Sequence, residues 1–169
     1  MSVSWSLRHG KFYVHRSELT LVGSCLKYLK TYLNEYAEEN VKLSKDIEEI
    51  LVNVCVFCVV WSIGGALEES SRKKFHIFMV ELITGDPNII TKYDLTYDLI
   101  FNYDIKSLRV NIPDKSAIFD LCYEKTKGIW LNWTQTEKKF EIPRGGEYHS
   151  IFVPTIDSIR NNFFLHKCV

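Results

Sequence analysis

From Ile50 to Ile63 the chain is apolar almost without interruption for about 14 residues, with Asn53 inside the run. Such a run is too long and too uniform for a strand that alternates between two environments, so it predicts a helix buried on most sides. It is short of the ~20 residues that a bilayer-spanning helix needs, which favours a core helix over an anchor. Asp46, followed three residues later by Glu49, fits a capping box at its start. Val52, Val54, Val56, Val59 and Val60 are branched at Cβ and lose rotamer freedom in a helix, so burial must hold this segment helical. Gly64-Gly65 is expected to end it. Whatever else the chain forms has to cover that helix.

Two further helices are legible. Leu19, Val22, Leu26, Leu29, Leu33 and Tyr36 recur at spacings of 3 and 4, which places them on one stripe of an amphipathic helix with Ser17 available as its cap. Asn34 to Asn40 makes its charged end, and Val41-Lys42-Leu43-Ser44 reads as the connection to the apolar run. A helix over roughly Glu68 to Ile83 puts Phe75, Phe78, Met79 and Leu82 on one face and is stopped by Gly85-Asp86-Pro87.

Beyond that point the pattern changes. Asn88 to Asn111 is mixed, and both strand and loop remain open there. Ile118 to Tyr123 and Ile129 to Trp133 are β-rich runs around Glu124-Lys125-Thr126-Lys127-Gly128, which predicts a hairpin. Phe140-Glu141-Ile142 is a candidate further strand, ending at Pro143. Thr155 can cap a final helix on which Ile156, Ile159 and Phe163 recur. Helices first, then a small antiparallel β element, then a C-terminal helix define an α+β class. The expected division is a helical part over 1–87 and a β-containing extension over 88–169.

Composition excludes more than it assigns. The 169 residues suffice for one core. With 21 basic and 21 acidic residues the formal net charge is zero, so no global field points to nucleic acid or to an anionic membrane. Lys125, Lys127, Trp130, Trp133, Lys138, Lys139 and Arg144 combine basic and aromatic character, but strand alternation explains them as one packed and one solvated face, and Glu124, Glu137 and Glu141 offset the charge. No nucleic-acid or membrane partner is expected.

Cys25, Cys55, Cys58, Cys122 and Cys168 are odd in number and scattered, and no basic-apolar leader opens the chain, so a reducing, cytosolic setting is expected. Cys55 and Cys58 have the spacing of a redox or zinc pair, yet they lie in the most apolar segment with no second pair, and are expected to be core residues. His9, His15, His76, His149 and His166 form no metal motif, no serine sits in a nucleophile elbow, and no carboxylates are paired for acid–base work. Neither Gly64-Gly65 nor Gly145-Gly146 is followed by the Gly-Lys-Ser/Thr that cradles a triphosphate. No metal, catalytic residue or ATPase activity of its own is expected.

Several short blocks nevertheless stand in a particular order. They are Val59-Val60-Trp61-Ser62-Ile63-Gly64-Gly65-Ala66-Leu67, Arg72-Lys73-Lys74-Phe75 with Glu81-Leu82, Ile112-Pro113, Ile118-Phe119-Asp120, Gly128-Ile129-Trp130-Leu131-Asn132-Trp133, and finally Val153, Pro154, Thr155, Asp157 and Arg160. In order and spacing the chain resembles the dynein heavy chain, in the stretch linking its second AAA+ module to its third. The likeness runs from about Leu19 to the end and is weakest before it and over Gly85–Arg109. Asn161 departs from it, because family members usually carry an aromatic there.

The resemblance implies a non-catalytic, lid-like fragment of a motor ring, extended by a β element towards a third module that carries the phosphate loop. Burial around Trp61, Phe75 and Phe78 would keep such a lever stiff. Its partners would be the adjacent AAA+ modules of the same chain and, through the intact parent, microtubules. The parent would bind ATP or ADP, and the backbone of Phe152, Val153, Pro154 and Thr155 could touch the adenine edge; alternatively Pro154 and Thr155 simply stop a strand and cap a helix. Arg160 could pair with a carboxylate at a module boundary, or with Asp157 one turn earlier, and the local pair is favoured. Gly64-Gly65 after Trp61-Ser62, with Arg72-Lys73-Lys74-Phe75, resembles axonemal members, which implies the cytoskeleton of a cilium or flagellum. The competing reading is a self-contained interaction or scaffold module. It predicts a final helix packed at home, whereas a fragment predicts exposed apolar area near Phe163, Phe164 and Leu165.

Overall fold

The computed structural model describes residues 1–38, 47–95, 107–113, 116–124, 127–136 and 153–168. Its elements are α1 (Ser2–His9), α2 (Glu18–Glu38), α3 (Ile47–Ser62), α4 (Glu69–Thr84), α5 (Ile89–Lys92), β1 (Leu121–Glu124), β2 (Ile129–Asn132), α6 (Trp133–Thr136) and α7 (Ile156–Cys168). The fold is mostly helical, with a two-stranded antiparallel sheet and a C-terminal helix.

α3 is the apolar run and sits at the centre. Ile50, Val54, Val56, Phe57, Cys58 and Val60 are all buried, and they project from more than one side of the helix. Together with the 3-10 turn Gly64–Ala66 it is 20 residues long and apolar enough to cross a bilayer by length and composition. Here that apolarity is spent on packing against α2, β1 and the neighbouring turns. Cys58 is buried as expected, but Cys55 is exposed, so the pair does not share a core position. Asp46, the expected cap, lies outside the described residues.

The α-helix ends at Ser62, ahead of Gly64, and the reason for that glycine is contact rather than handedness. A Cβ at Gly64 would lie 2.7 Å from Phe75 Cε1 and 2.8 Å from Phe119 Cζ, inside any real carbon–carbon approach. Gly85 is different. It takes φ 77° and ψ 38° after α4, and its N–H donates to the Glu81 carbonyl at 3.1 Å, a left-handed cap that a Cβ would strain. α4 presents Phe75, Phe78 and Met79 to the core, with Leu82 packed alongside.

Ser17 caps α2, its Oγ accepting the Thr20 N–H at 3.3 Å. The orientation of α2 corrects the sequence reading. Leu21 and Tyr32 are buried and Cys25, Tyr28 and Leu29 pack partly against the core, whereas Leu19 is 85 % exposed, Val22 38 %, Leu26 58 % and Leu33 37 %. The helix turns Tyr28, Tyr32 and Cys25 inward, and most of its leucine stripe faces solvent. Of Tyr36, whose side chain lies outside the description, nothing follows.

α1 was not anticipated. It buries Trp5 against Phe78, stacked at 5.1 Å between centroids, and against Phe75 at 5.5 Å. The segment after it is tied to the turn preceding α4 by an isolated bridge between Phe12 and Leu67. In the open stretch after Pro87 the chain makes the short helix α5, and residues 96–106 lie outside the description.

The hairpin pairs Leu121 with Asn132, Cys122 with Leu131, Tyr123 with Trp130 and Glu124 with Ile129. It closes through Gly128 at φ 62°, whose N–H donates to the Glu124 carbonyl at 2.8 Å. Ile118–Asp120, expected as strand, is instead a 3-10 turn that buries Ile118 and Phe119. Asn53, the polar interruption of the apolar run, links the hairpin to the helices. Its Oδ1 accepts the Trp130 indole N–H at 2.6 Å while its Nδ2 donates to the carbonyls of Glu49 at 2.7 Å and Arg109 at 3.2 Å. The candidate strand over Phe140–Ile142 lies outside the described residues.

Candidate functional site

The segment singled out by the sequence enters α7 through a reciprocal cap. Thr155 Oγ1 accepts the Ser158 N–H at 3.2 Å and Ser158 Oγ accepts the Thr155 N–H at 2.8 Å. The Thr155 carbonyl accepts from Ile159 at 2.9 Å. Every polar group of Thr155 is thereby engaged in starting the helix, in the manner of a capping box with serine at its third position. Phe152, the first of the four residues expected at a base edge, lies outside the described residues. Val153 is exposed, and Pro154 is partly so.

From that cap α7 runs back over the helical core. Phe164 lies 4.8 Å from Trp61, 6.2 Å from Phe57 with the rings nearly parallel, and 5.6 Å edge-on from Tyr28. Phe163 lies 5.2 Å from Trp133 and 6.1 Å from Phe57. These rings come from α2, α3, α6 and α7, and their offset and edge-on arrangements are the ones aromatic quadrupoles favour. The expected exposed apolar area at Phe163 and Phe164 is therefore absent from the described surface, because both rings pack inward; Leu165, at 65 %, is the exposed one of the three.

Trp61 is only partly buried, which corrects its expected place deep in the core. It stands edge-on to Trp133 at 5.6 Å and to Phe119 at 5.9 Å, so it mediates between α3, the Ile118–Asp120 turn and α7. Phe75 and Phe78 are fully buried as expected.

Arg160 completes the seat. Its Nη2 donates to Asp120 Oδ1 at 2.8 Å, its Nη1 approaches Asp157 at 3.4 Å, and its guanidinium carbon lies 5.8 Å from the Trp61 ring centroid. The longer-range pair is thus the closer one, contrary to the preference for Asp157. Arg160's side chain is mostly buried and Asp120's is half exposed, so the bond links α7 to the turn at the edge of the core. Beneath α7 lies a cavity of about 390 Å³, lined by Tyr32, Tyr123, Trp133 and Phe163 with Glu124 and His166.

Catalytic groups do not converge here. Among the described residues no three metal-ligating side chains cluster. Cys25, Cys55 and Cys58 all have thiols raised by burial, Cys58 to about 12, which disfavours the reactive thiolate. His76 accepts the Ile118 N–H on Nδ1 at 3.2 Å, and burial lowers its pKa against the opposing pull of Asp120.

A helical lid, capped by a hairpin and gripping one further helix through aromatic rings and a charged pair, is the class this architecture defines. A family model described as the dynein heavy chain AAA lid domain matches residues 2–135. The chain belongs to that family. The match starts ahead of Leu19 and so takes in α1. Relatives include dynein axonemal heavy chain 3 of Homo sapiens, 30% identical over 171 residues that cover 93% of this chain, and its Mus musculus counterpart at 29% over 177 residues. The dynein-1-alpha heavy chain of the flagellar inner arm I1 complex of Chlamydomonas reinhardtii is 25% identical over 130 residues, covering 72% of this chain. The chain spans 4%, 4% and 2% of these relatives' own lengths respectively.

Sequence reasoning found Arg160, Phe163 and Thr155 but missed Asp120, Phe57 and Trp133 as their partners. Asp120 stood in one quoted block and Arg160 in another, and the signal for pairing them was their opposite charge.

Proposed function

We propose that this chain is the lid between the second and third AAA+ modules of an axonemal-type dynein heavy chain, and that it works as a stiff, non-catalytic joint. The observation that carries this reading is the match of residues 2–135 to the dynein heavy chain AAA lid domain, onto which α7 is seated. The Val153-Pro154-Thr155 entrance resembles the start of a third module, and the helix it opens is fastened to the lid core by Phe163, Phe164 and the Arg160–Asp120 pair. Rigid attachment lets a rotation of the lid carry the next module with it, as in shear and hinge motions of packed units. ATP or ADP would bind in the neighbouring modules, where the backbone of Phe152, Val153, Pro154 and Thr155 would meet an adenine edge. Microtubule engagement belongs to the intact parent. The names of the relatives support a place in the axoneme of a cilium or flagellum.

The test is made in the intact heavy chain. With Phe163→Ala and Phe164→Ala together, ATP turnover is expected to persist while microtubule gliding slows several-fold. Gliding at the parental velocity would refute the joint. A second reading, a self-contained interaction module, is favoured by the same seated helix, which packs at home. Under that reading the pair of substitutions lowers stability and leaves the motor's gliding untouched.

A further inference from the structure

The outer face of α2 is apolar: Leu19, Val22, Leu26 and Leu33 are exposed on it, and Leu29, at its edge, packs partly against the core. Leu19, Val22, Leu26, Leu29 and Leu33 repeat at 3, 4, 3 and 4, while the separate set Leu21, Cys25, Tyr28 and Tyr32 faces the core. A helix needs one apolar stripe to join a core, and this one carries two. The second is a narrow seam with the alternating 3 and 4 spacing that keeps one helix facing another, sustained over a rise of roughly 21 Å. A helix lying on a membrane surface shows a wider apolar face than such a seam.

Charge identifies the occupant. From Leu19 to Asn34 the helix contains Lys27 and Lys30 and no carboxylate; its carboxylates, Glu18, Glu35 and Glu38, stand at the two ends. On a helical projection Lys30 borders the seam, Lys27 lies beyond it on the same side, and Gly23 sits between the two lysines, with open space where a Cβ would stand. A second copy aligned in parallel would set lysine against lysine. We propose that this face docks a helix of another polypeptide segment, one with leucine-like residues in a heptad seam and glutamate or aspartate along its flank. The proposal stands whether or not the chain joins the second and third modules.

The probe is a fluorescein-labelled peptide of about three heptads with Leu at a and d and Glu at e and g, kept monomeric by its own charge repulsion. Titrated with the purified 169-residue chain, it should give saturable anisotropy. Leu26→Glu should weaken binding at least about tenfold, and because Leu26 is mostly exposed its thermal melt should stay parental. Lys27→Glu with Lys30→Glu should transfer preference to the peptide carrying Lys at e and g. The proposal is overturned by absence of saturable binding, by equal binding to Leu26→Glu, or by unchanged preference after charge reversal. It is also overturned if sedimentation shows a dimer that Leu26→Glu dissolves, or if the chain binds phosphatidylserine vesicles and not the peptide.

Discussion

Phe164→Ala isolates the hold of the core on α7. Truncating a fully buried phenylalanine costs about 3–5 kcal/mol. Phe164 is partly buried, and its ring meets Trp61, Phe57 and Tyr28 on its inner side. Scaling for the exposed edge gives about 2–3 kcal/mol, of which aromatic pairing beyond area supplies ~0.5–1.5. For a chain of this length that corresponds to a fall in melting temperature of roughly 4–12 °C. Leu165→Ala, one residue on and exposed, is the control and should stay within about 0.5 kcal/mol. Both variants are measured by urea denaturation and by thermal melting followed by circular dichroism. If Phe164→Ala and Leu165→Ala melt together at the parental temperature, α7 is not seated as described and the joint loses its basis.

Asn53→Leu removes three hydrogen bonds and leaves the buried Trp130 indole N–H without its acceptor, so denaturation should show a loss of about 2–4 kcal/mol despite the more apolar side chain. A double-mutant cycle of Asp120→Asn and Arg160→Gln should return a coupling of about 0.5–1.5 kcal/mol, held low by the half-exposed carboxylate and shrinking in high salt. His76 favours its neutral form in the folded chain, so the unfolded chain takes up the proton first. Stability is therefore full above the ordinary histidine value near 6.5 and falls as pH drops from there towards the lowered folded value; denaturation midpoints of His76→Asn should show a flatter dependence over that window.

Local signals were legible because their causes are local. The run around Phe57 is long and uniform, and burial on several sides is the physical outcome open to it. Ser17 and Thr155 each meet a backbone N–H three residues on, and Gly85 adopts the left-handed turn that ends α4. The face of α2 was not legible in the same way. Its leucine stripe is the more hydrophobic one, but the core of α3 and α7 presents aromatic rings, and Tyr28 and Tyr32 answer them edge-on at 5.6 Å from Phe164 and 5.4 Å from Phe57. α1 is too short for periodicity to speak, and its one strong anchor, Trp5, finds its partners some 70 residues later. Arg160 and Asp120 stand 40 residues apart, where one sequence offers two charges and no distance. The fold class and the capped entrance to α7 could thus be read in advance, while the partners that make the joint required the packed structure.

The central claim is that α7 and the lid move as one body. Spin labels placed by genetic encoding at Ile77 on α4 and Leu165 on α7, both exposed, report it directly in the intact heavy chain by double electron–electron resonance. One narrow distance distribution, the same in the nucleotide-free, ADP and ATP-analogue states, is the predicted result. A distribution that splits or shifts with nucleotide would show the helix leaving its seat and would contradict the account.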